Sequence, residues 1–560
     1  MPRHAEPTFD RPWHRPGRLG YAFARLRGFA KPPVTVTEAP DDVVIDHDVE
    51  VHSRDGTILR VNVYRAPGDE RRPVIVCAHP YGKDELPVRR GKRWKFSPQY
   101  RMLRQPGPVT FSALTGWEAP DPVWWTARGF AVVNADLRGA GHSDGVAKLL
   151  SQQESEDVYD IVQWAAAQPW SDGRVVMLGV SYLAISQYGA AALGPDALRA
   201  ICPWEGFTDA YRDLAMPGGV RETGFVRIWS MLLRRTARVA YALREMQDAH
   251  PERDDFWQSV VPDLSAIRVP MLVCGSFSDN NLHSRGSIRA FTHAGSEHVR
   301  LYTHRSGKWV TFYSEQARAE QLAFFRSVLD GQPGGRGVRL EVREDRDTIV
   351  DVREESQWPL GRTRWQKLYL AGPGVLSTEA PAEPGAMTFK TRSRAAVFSW
   401  IVRDDLELTG PMAARLWLDL HGCDDANLFV GVEKWRDGKF VPFEGSYGYG
   451  RDRVTTGWQR VALRALDTEL SQPWEPVTAC TDPQPVRAGE VVAVDVALGP
   501  SATLFRAGEQ LRLVVTGRWL AARNPLTGGF PAAYEPSPRG RVTLHWGPTH
   551  DAHLLIPEIG

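Results

Sequence analysis

No run in this 560-residue sequence approaches the roughly 20 apolar residues that a membrane-spanning helix needs. The N-terminus also lacks the continuous apolar core of a secretion signal. Cysteine is scarce: Cys77, Cys202, Cys274, Cys423 and Cys480 are odd in number, widely separated and without C-x-x-C spacing. Neither a disulfide framework nor a zinc site is signalled. Three of them sit in apolar runs, where a reduced thiol packs as a small hydrophobe, and a cytoplasmic location fits that usage. An excess of one charge is missing too, with 68 Lys plus Arg against 67 Asp plus Glu. That balance gives no electrostatic reason to expect a nucleic acid or an anionic membrane as partner. Internal repeats and low-complexity tracts are likewise absent.

What the chain does have is length, tryptophan and alternating structure signals. Its length exceeds one hydrophobic core, so two or three domains are expected. Twenty tryptophans imply aromatic cores or apolar pockets. Residues 1–42 hold seven Lys or Arg before Val34, interspersed with Pro, Gly and aromatics. Glu6, Asp10 and the prolines argue against an organelle-targeting peptide, which leaves an arm lying on the body or on a second subunit.

From about Val43 the strand period takes over, and Asp55-Gly56 supplies a hairpin turn into Ile58–Tyr64. Short continuous apolar runs at Pro73–Ala78, Phe130–Ala135 and Val175–Leu178 read as strands buried on both faces. Helical periodicity at Val158–Ala167 lies between them, so the expected fold class is α/β, a mostly parallel sheet covered on both sides. Residues 43–207 and 264–332 make up this domain, and 208–263, with helical periodicity and no strand-like run, form an inserted cap. Pro270–Cys274 and Val299–Thr303 resume the sheet. A Gly-rich linker at 331–337 then leads to residues 338–560, whose short strand-like runs predict an all-β sandwich, a jelly roll by architecture.

The sharpest chemical signal is Leu178-Gly179-Val180-Ser181-Tyr182. A buried strand runs into a tight turn and then into the Ala-rich helix Ile185–Leu193. Such a turn presents a serine hydroxyl at a helix N-terminus, which favours the negative charge that develops on a substrate carbonyl. Relative to G-x-S-x-G, the second glycine position holds Leu183. A nucleophile needs a base and an orienting acid, which in this fold follow it in the chain. Asp279 stands at the expected strand end, with a helix-capping turn as its alternative role. His304 is the only histidine in the loop after the next strand and is the candidate base, with a non-catalytic strand-end histidine as the alternative. His298 lies at the wrong end of that strand.

Taken in order, the residues resemble the cocaine esterase and X-prolyl dipeptidyl-peptidase family of serine hydrolases. The likeness is carried by Pro80-Tyr81-Gly82-Lys83, Asp136-Leu137-Arg138-Gly139-Ala140-Gly141, Glu156-Asp157 with Trp164, and Gln168-Pro169-Trp170. Gly179-Val180-Ser181-Tyr182, Pro203-Trp204-Glu205-Gly206 and, in the C-terminal part, Gly410-Pro411-Met412 and Phe505-Arg506-Ala507-Gly508 extend it. The resemblance implies an α/β-hydrolase domain with a helical cap and a C-terminal jelly roll. It makes Ser181 the nucleophile and Asp279 the acid, and builds an oxyanion hole from the Tyr81 hydroxyl and the Tyr182 backbone N–H. It implies no cofactor and no metal, a small-molecule ester or amide as substrate, and symmetric self-association as the default.

One segment departs from the pattern. The family's Gly-Pro-Trp-x-His base segment is replaced by His304-Arg305-Ser306-Gly307-Lys308-Trp309. Either His304 reaches the site from a reshaped loop, or Lys308 serves when desolvated, or the base is lost and the fold is a binding or assembly module. An acyltransferase on the same site is the other alternative to hydrolysis. Trp204 either lines the acyl pocket or packs in the core, and Tyr81 could pack only. The glycines of the 136–141 segment read as turn formers and Arg138 as an ion-pair partner rather than as parts of a phosphate loop.

Overall fold

The computed structural model describes residues 13–14, 23, 26–28, 30–102, 107–445, 451–521 and 532–560. Most of the expected N-terminal arm lies outside the described residues. Within it, Trp13–His14 pairs antiparallel with residues 348–349, so this part of the arm is laid along the body of the same chain.

Ten strands build the catalytic sheet: β1 (Val44–His52), β2 (Ile58–Arg65), β3 (Arg72–His79), β4 (Ala131–Asp136) and β5 (Ser171–Val180), then β6 (Leu198–Trp204), β7 (Met271–Ser276), β8 (Val299–His304), β9 (Gly337–Asp345) and β10 (Thr348–Glu355). Their spatial order is β1-β2-β4-β3-β5-β6-β7-β8-β9-β10. The strands from β4 to β9 run parallel, and β1, β2 and β10 are antiparallel at the margins. The apolar runs of β3, β4, β5 and β7 are buried over most of their length, as strands covered on both faces must be. Helices α1 (Gln152–Ala166) and α2 (Tyr182–Ala192) pack on the sheet.

The sheet does not end at the Gly-rich linker. The β9–β10 hairpin follows that linker, and β9 pairs parallel with β8, so residues 337–355 continue the sheet across the linker. The reason is the edge: β8 would otherwise present unpaired backbone groups, and β9 satisfies them.

Between β6 and β7 the chain leaves the sheet as the cap, with α3 (Phe225–Leu233), α4 (Leu243–Ala249) and shorter helical turns. The 136–147 turn receives it. Gly139 accepts from Arg238 N and Ala147 donates to Arg238 O; a Cβ on Gly139 would lie 2.7 Å from Arg238 O. That glycine therefore permits a close backbone approach, while Arg138 pairs with Asp157 at 2.6 Å and Asp55 at 2.9 Å.

After β7 comes α5 (Ser284–His293), which shares the apolar core of α1 and α2, whereas α6 (Lys308–Phe312) and α7 (Glu315–Leu329) cover the other side. Residues from about 363 onward form antiparallel strands around a separate apolar core that includes Leu416, Val430, Val494 and Leu513. This β-rich domain is joined to the catalytic one by Arg305. Its fully buried guanidinium donates to Ser501 Oγ at 3.2 Å and to the carbonyl of Val454 at 2.9 Å. Removing it as Arg305→Met leaves those buried acceptors unsatisfied. The expected cost is at least about 2 kcal/mol in urea unfolding, and a change within about 0.5 kcal/mol would show that the domain contact does not depend on it.

Candidate active site

Strand β5 delivers Ser181 into the cleft. Its φ is +58°, a conformation that costs energy for a residue bearing a Cβ and persists only where the surroundings enforce it. Enforcement comes from both sides of the turn. Ser181 N donates to Trp204 O at 3.1 Å, and Ser181 O accepts from Ala184 N and Ile185 N at 2.9 Å each. Gly179 leaves the space that Leu183 fills, since a Cβ there would lie 2.3 Å from Leu183 Cβ. Across the turn, a Cβ on Gly206 would lie 2.9 Å from Ala184 Cβ. A turn with Leu183 in place of glycine therefore closes by packing that side chain over Gly179.

The Ser181 hydroxyl meets His283, whose Nε2 lies 3.2 Å from Oγ. Nδ1 of the same ring is 2.6 Å from Asp279 Oδ2. Asp279 and His283 are four residues apart on one helical turn, in which Asp279 O accepts from the backbone N–H groups of Leu282, His283 and Ser284. That spacing puts both side chains on one face. Phe207 stacks on the imidazole with ring centroids 6.2 Å apart. Asp279 and His283 are both almost wholly buried.

Charge in this pocket is set by three further groups. Lys308 Nζ lies 2.9 Å from Asp279 Oδ2 and 2.9 Å from His283 Nδ1. Burial opposes its charge, but Asp279, Glu205 and Glu118 together raise its pKa above the ordinary lysine value, so it is an ammonium. Burial would likewise raise the Asp279 carboxyl, but Lys308 and His283 outweigh it and hold the group far below the usual carboxylate range. Burial and then Lys308 lower the pKa of His283, against the opposing pull of Asp279, so the ring rests neutral and able to accept a proton. Burial pushes Glu118 up to about 8, which keeps it mostly protonated near neutrality.

On the opposite side of Ser181 stands Tyr81, whose hydroxyl interacts with the Ser181 side chain. Its placement follows from His79. The burial-lowered pKa of His79, about 4, keeps it neutral. Nδ1 accepts from Tyr81 N at 3.2 Å, and Nε2–H donates to Asn134 Oδ1 at 2.7 Å. From the cap, Trp229 Nε1 donates to the Tyr81 oxygen at 3.4 Å. An indole N–H is only a donor, so it occupies a lone pair of the phenol and leaves the phenolic proton free to point into the cleft. The Tyr182 side chain is turned away, its hydroxyl donating to Glu154 at 2.8 and 2.9 Å. The Tyr182 backbone N–H lies in the first turn of α2, where amides have no intrahelical acceptor.

The family described as X-Pro dipeptidyl-peptidase (S15 family) matches residues 55–240, and the X-Pro dipeptidyl-peptidase C-terminal non-catalytic domain matches 336–555. A crystal structure of a CocE/NonD family hydrolase from Staphylococcus aureus superposes with a TM-score of 0.87 and 31% identity, covering 95% of this chain and 100% of that one. The chain belongs to the CocE/NonD hydrolase family. A cocaine esterase from Rhodococcus sp. (strain MB1 Bresler) is 23% identical over 91% of this chain and 98% of its own length. An α-amino acid ester hydrolase shares the fold, with a TM-score of 0.69 at 14% identity, covering 94% of this chain and 98% of that one. The protein is accordingly a serine hydrolase acting on ester or peptide-type bonds.

Against these family features, the sequence-derived residues divide clearly. Ser181, Tyr81, the Tyr182 backbone and Asp279 come together around one cleft. His304 does not join them: its Nε2 faces Glu205 Oε1 at 3.1 Å, and its Nδ1 accepts from Ser306 N at 3.2 Å. The ring at that strand end is consumed by a buried carboxylate, and His283 takes the position on Ser181. Asp279 and Glu205 favour the ammonium form of Lys308, which has no lone pair to offer as a base. Trp204 is fully buried against Tyr302 and Phe312, on the face covered by α6 and α7. The signal for His283 was in the sequence as Asp279-x-x-x-His283 leading into a helix; Trp229 left no comparable mark.

Two groups of potential metal donors occur among the described residues: Glu205, Cys274 and His304, and Asp48, Asp84 and His142. In the first, burial raises the Cys274 thiol well above its ordinary value, so it stays protonated, and His304 already pairs with Glu205. In the second, Lys83 bridges Asp48 and Asp84 and supplies the positive charge.

Two expectations follow. His283→Ala should slow fluorophosphonate labelling of Ser181 by about 10³-fold or more, while His304→Ala should keep labelling within about tenfold. The reverse order would return the base to His304. Tyr81→Phe should lower kcat by about 10²–10³, and Trp229→Phe should lower it less, by about tenfold, with KM nearly unchanged in both. Equal loss in KM instead would make these two residues ground-state binding groups.

Proposed function

We propose that the protein hydrolyses acyl esters by two-step acyl transfer through Ser181, His283 and Asp279. The observation that carries this reading is the unbroken line Asp279–His283–Ser181, with hydrogen-bonding distances of 2.6 and 3.2 Å. His283 Nε2 takes the Ser181 proton as Oγ attacks the carbonyl carbon. The oxyanion then receives the Tyr81 O–H and the Tyr182 N–H, donors that act most strongly in a water-poor site. Collapse of the tetrahedral intermediate breaks the bond to the leaving group, which takes the proton from Nε2. Water, deprotonated by the same nitrogen, then releases the acid. A histidine facing Ser181 weighs against an inactive binding module, whose support was the altered segment 304–309.

Aromatic walls favour an apolar or aromatic acyl group. Tyr81, Tyr182, Trp229 and Phe225 form a continuous set, with Tyr182–Trp229 centroids 5.9 Å apart and Phe225–Trp229 stacked at 6.3 Å. The five free cysteines favour a cytoplasmic location, and the antiparallel pairing after residue 363 is compatible with a jelly roll. The test is a panel of p-nitrophenyl acetate, p-nitrophenyl benzoate and an X-Pro p-nitroanilide. The benzoate should give the highest kcat/KM. Turnover of the X-Pro anilide alone would overturn the ester reading in favour of a peptidase.

A further inference from the structure

Lys308 is a buried cation in contact with both the acid and the base of the triad, and the mechanism above gives it no task. Three distances define its place: Nζ to Asp279 Oδ2 and to His283 Nδ1, both 2.9 Å, against 2.6 Å between Nδ1 and Oδ2. Nδ1 has one valence to use there. If it carries a proton, it donates to Asp279, leaving Nε2 bare for the Ser181 hydroxyl. If it accepts from Lys308 instead, the proton moves to Nε2 and the ring cannot take one from Ser181. The shorter contact and the carboxylate charge favour the first tautomer, in which Lys308 donates to Asp279 as well.

We propose that Lys308 is a positioning residue: a fixed cation that shares Asp279 Oδ2 with the imidazole, holds the carboxylate facing Nδ1, and sets how readily His283 takes and returns its proton. This rests on His283 being the base. As the base it becomes an imidazolium during each acyl-transfer step, within reach of an ammonium. Like charges at that range favour handing the proton on, so His283 is a weaker base and a stronger acid than an isolated Asp–His pair would make it. The consequence is an activity that persists into acidic pH and a proton delivered easily to a poor leaving group.

Other charged groups around the pair are accounted for. Glu205, from the end of β6, faces both Lys308 and His283, and its Oε1 is taken by His304. Glu118 faces Lys308 from the segment after residue 112, held up near 8 by burial. Tyr534, from the C-terminal domain, has a phenol that burial keeps neutral. Arg285, two residues beyond the base, donates to the Thr456 and Ala497 carbonyls at 3.1 Å each. Lys308 is therefore the cation in contact with the ring.

The sign of the pH effect follows. Ser181 is activated only while His283 is neutral, so reactivity falls as pH drops through the ring's pKa. A neighbouring ammonium lowers that pKa, placing the acid limb below the ordinary histidine value of 6.5. The experiment is the second-order rate of fluorophosphonate labelling against pH for the native enzyme, Lys308→Met and His283→Ala. Lys308→Met should move the acid limb upward by about 1 pH unit or more. A limb that stays in place while the rate scales down uniformly would make Lys308 merely structural and overturn the proposal. Unimpaired labelling in His283→Ala would instead sink the base assignment, a separate failure. Should Lys308→Met not fold, ¹⁵N imidazole shifts of the native protein decide. A neutral ring protonated at Nδ1 at pH 6 supports the proposal, and an imidazolium or a proton on Nε2 there overturns it.

Discussion

A fully buried carboxylate, Asp279, is the constraint around which the catalytic half of the molecule is arranged. An ionised carboxyl without partners would be too costly in such a place, and this one is met on a single oxygen by an imidazole and an ammonium. Those two partners arrive from different elements. His283 follows on the same helical turn, whereas Lys308 opens α6 after β8. The sheet order brings β7 and β8 side by side and so delivers both to one point. Ser181 needs only to be lifted out of β5 by its strained turn to complete the line.

The C-terminal domain contributes to this arrangement without lending a catalytic group. Arg285 is anchored on its backbone carbonyls and lies over the Trp458 ring at 4.8 Å, which fixes the first turn of α5 directly after His283. Beside the acid, a Cβ on Gly499 would lie 2.3 Å from Asn280 Oδ1, so the two domains meet closely there. On the cap side, Glu222 accepts from the backbone N–H groups of Gly224, Phe225, Val226 and Ala533 at 2.8–3.0 Å. The same carboxylate therefore starts the helix that carries Trp229 and ties it to residue 533. The β-rich domain acts as a brace for the segments on which Asp279, His283 and Trp229 stand.

Much of this was legible in the residues. The buried strands announced themselves as continuous apolar runs, and the Ser181 turn by a glycine two residues earlier between strand and helix. Asp279 was read from its place at a strand end, and Tyr81 from the family resemblance of Pro80-Tyr81-Gly82-Lys83. For the base, a chain-order rule pointed to the loop after β8, where His304 stands, whereas the histidine facing Ser181 is His283. Only the three-dimensional fold reveals that Glu205, remote in sequence, occupies that histidine. Nor could the pattern assign Trp204 to the core side of β6, since a strand buried on both faces carries no polar alternation to orient it. The pairing of β9 with β8 was not legible for a similar reason: a linker composition marks a turn but not which strand the next one joins.

The most direct test of the whole arrangement is a crystal structure of the enzyme phosphonylated at Ser181. The phosphoryl oxygen should lie within hydrogen-bonding distance of Tyr81 Oη and Tyr182 N. His283 Nε2 should face the adduct, with Asp279 and Lys308 unmoved behind the ring. An adduct addressed by His304, or one in which His283 has turned away and Lys308 points at the phosphorus centre, would contradict it.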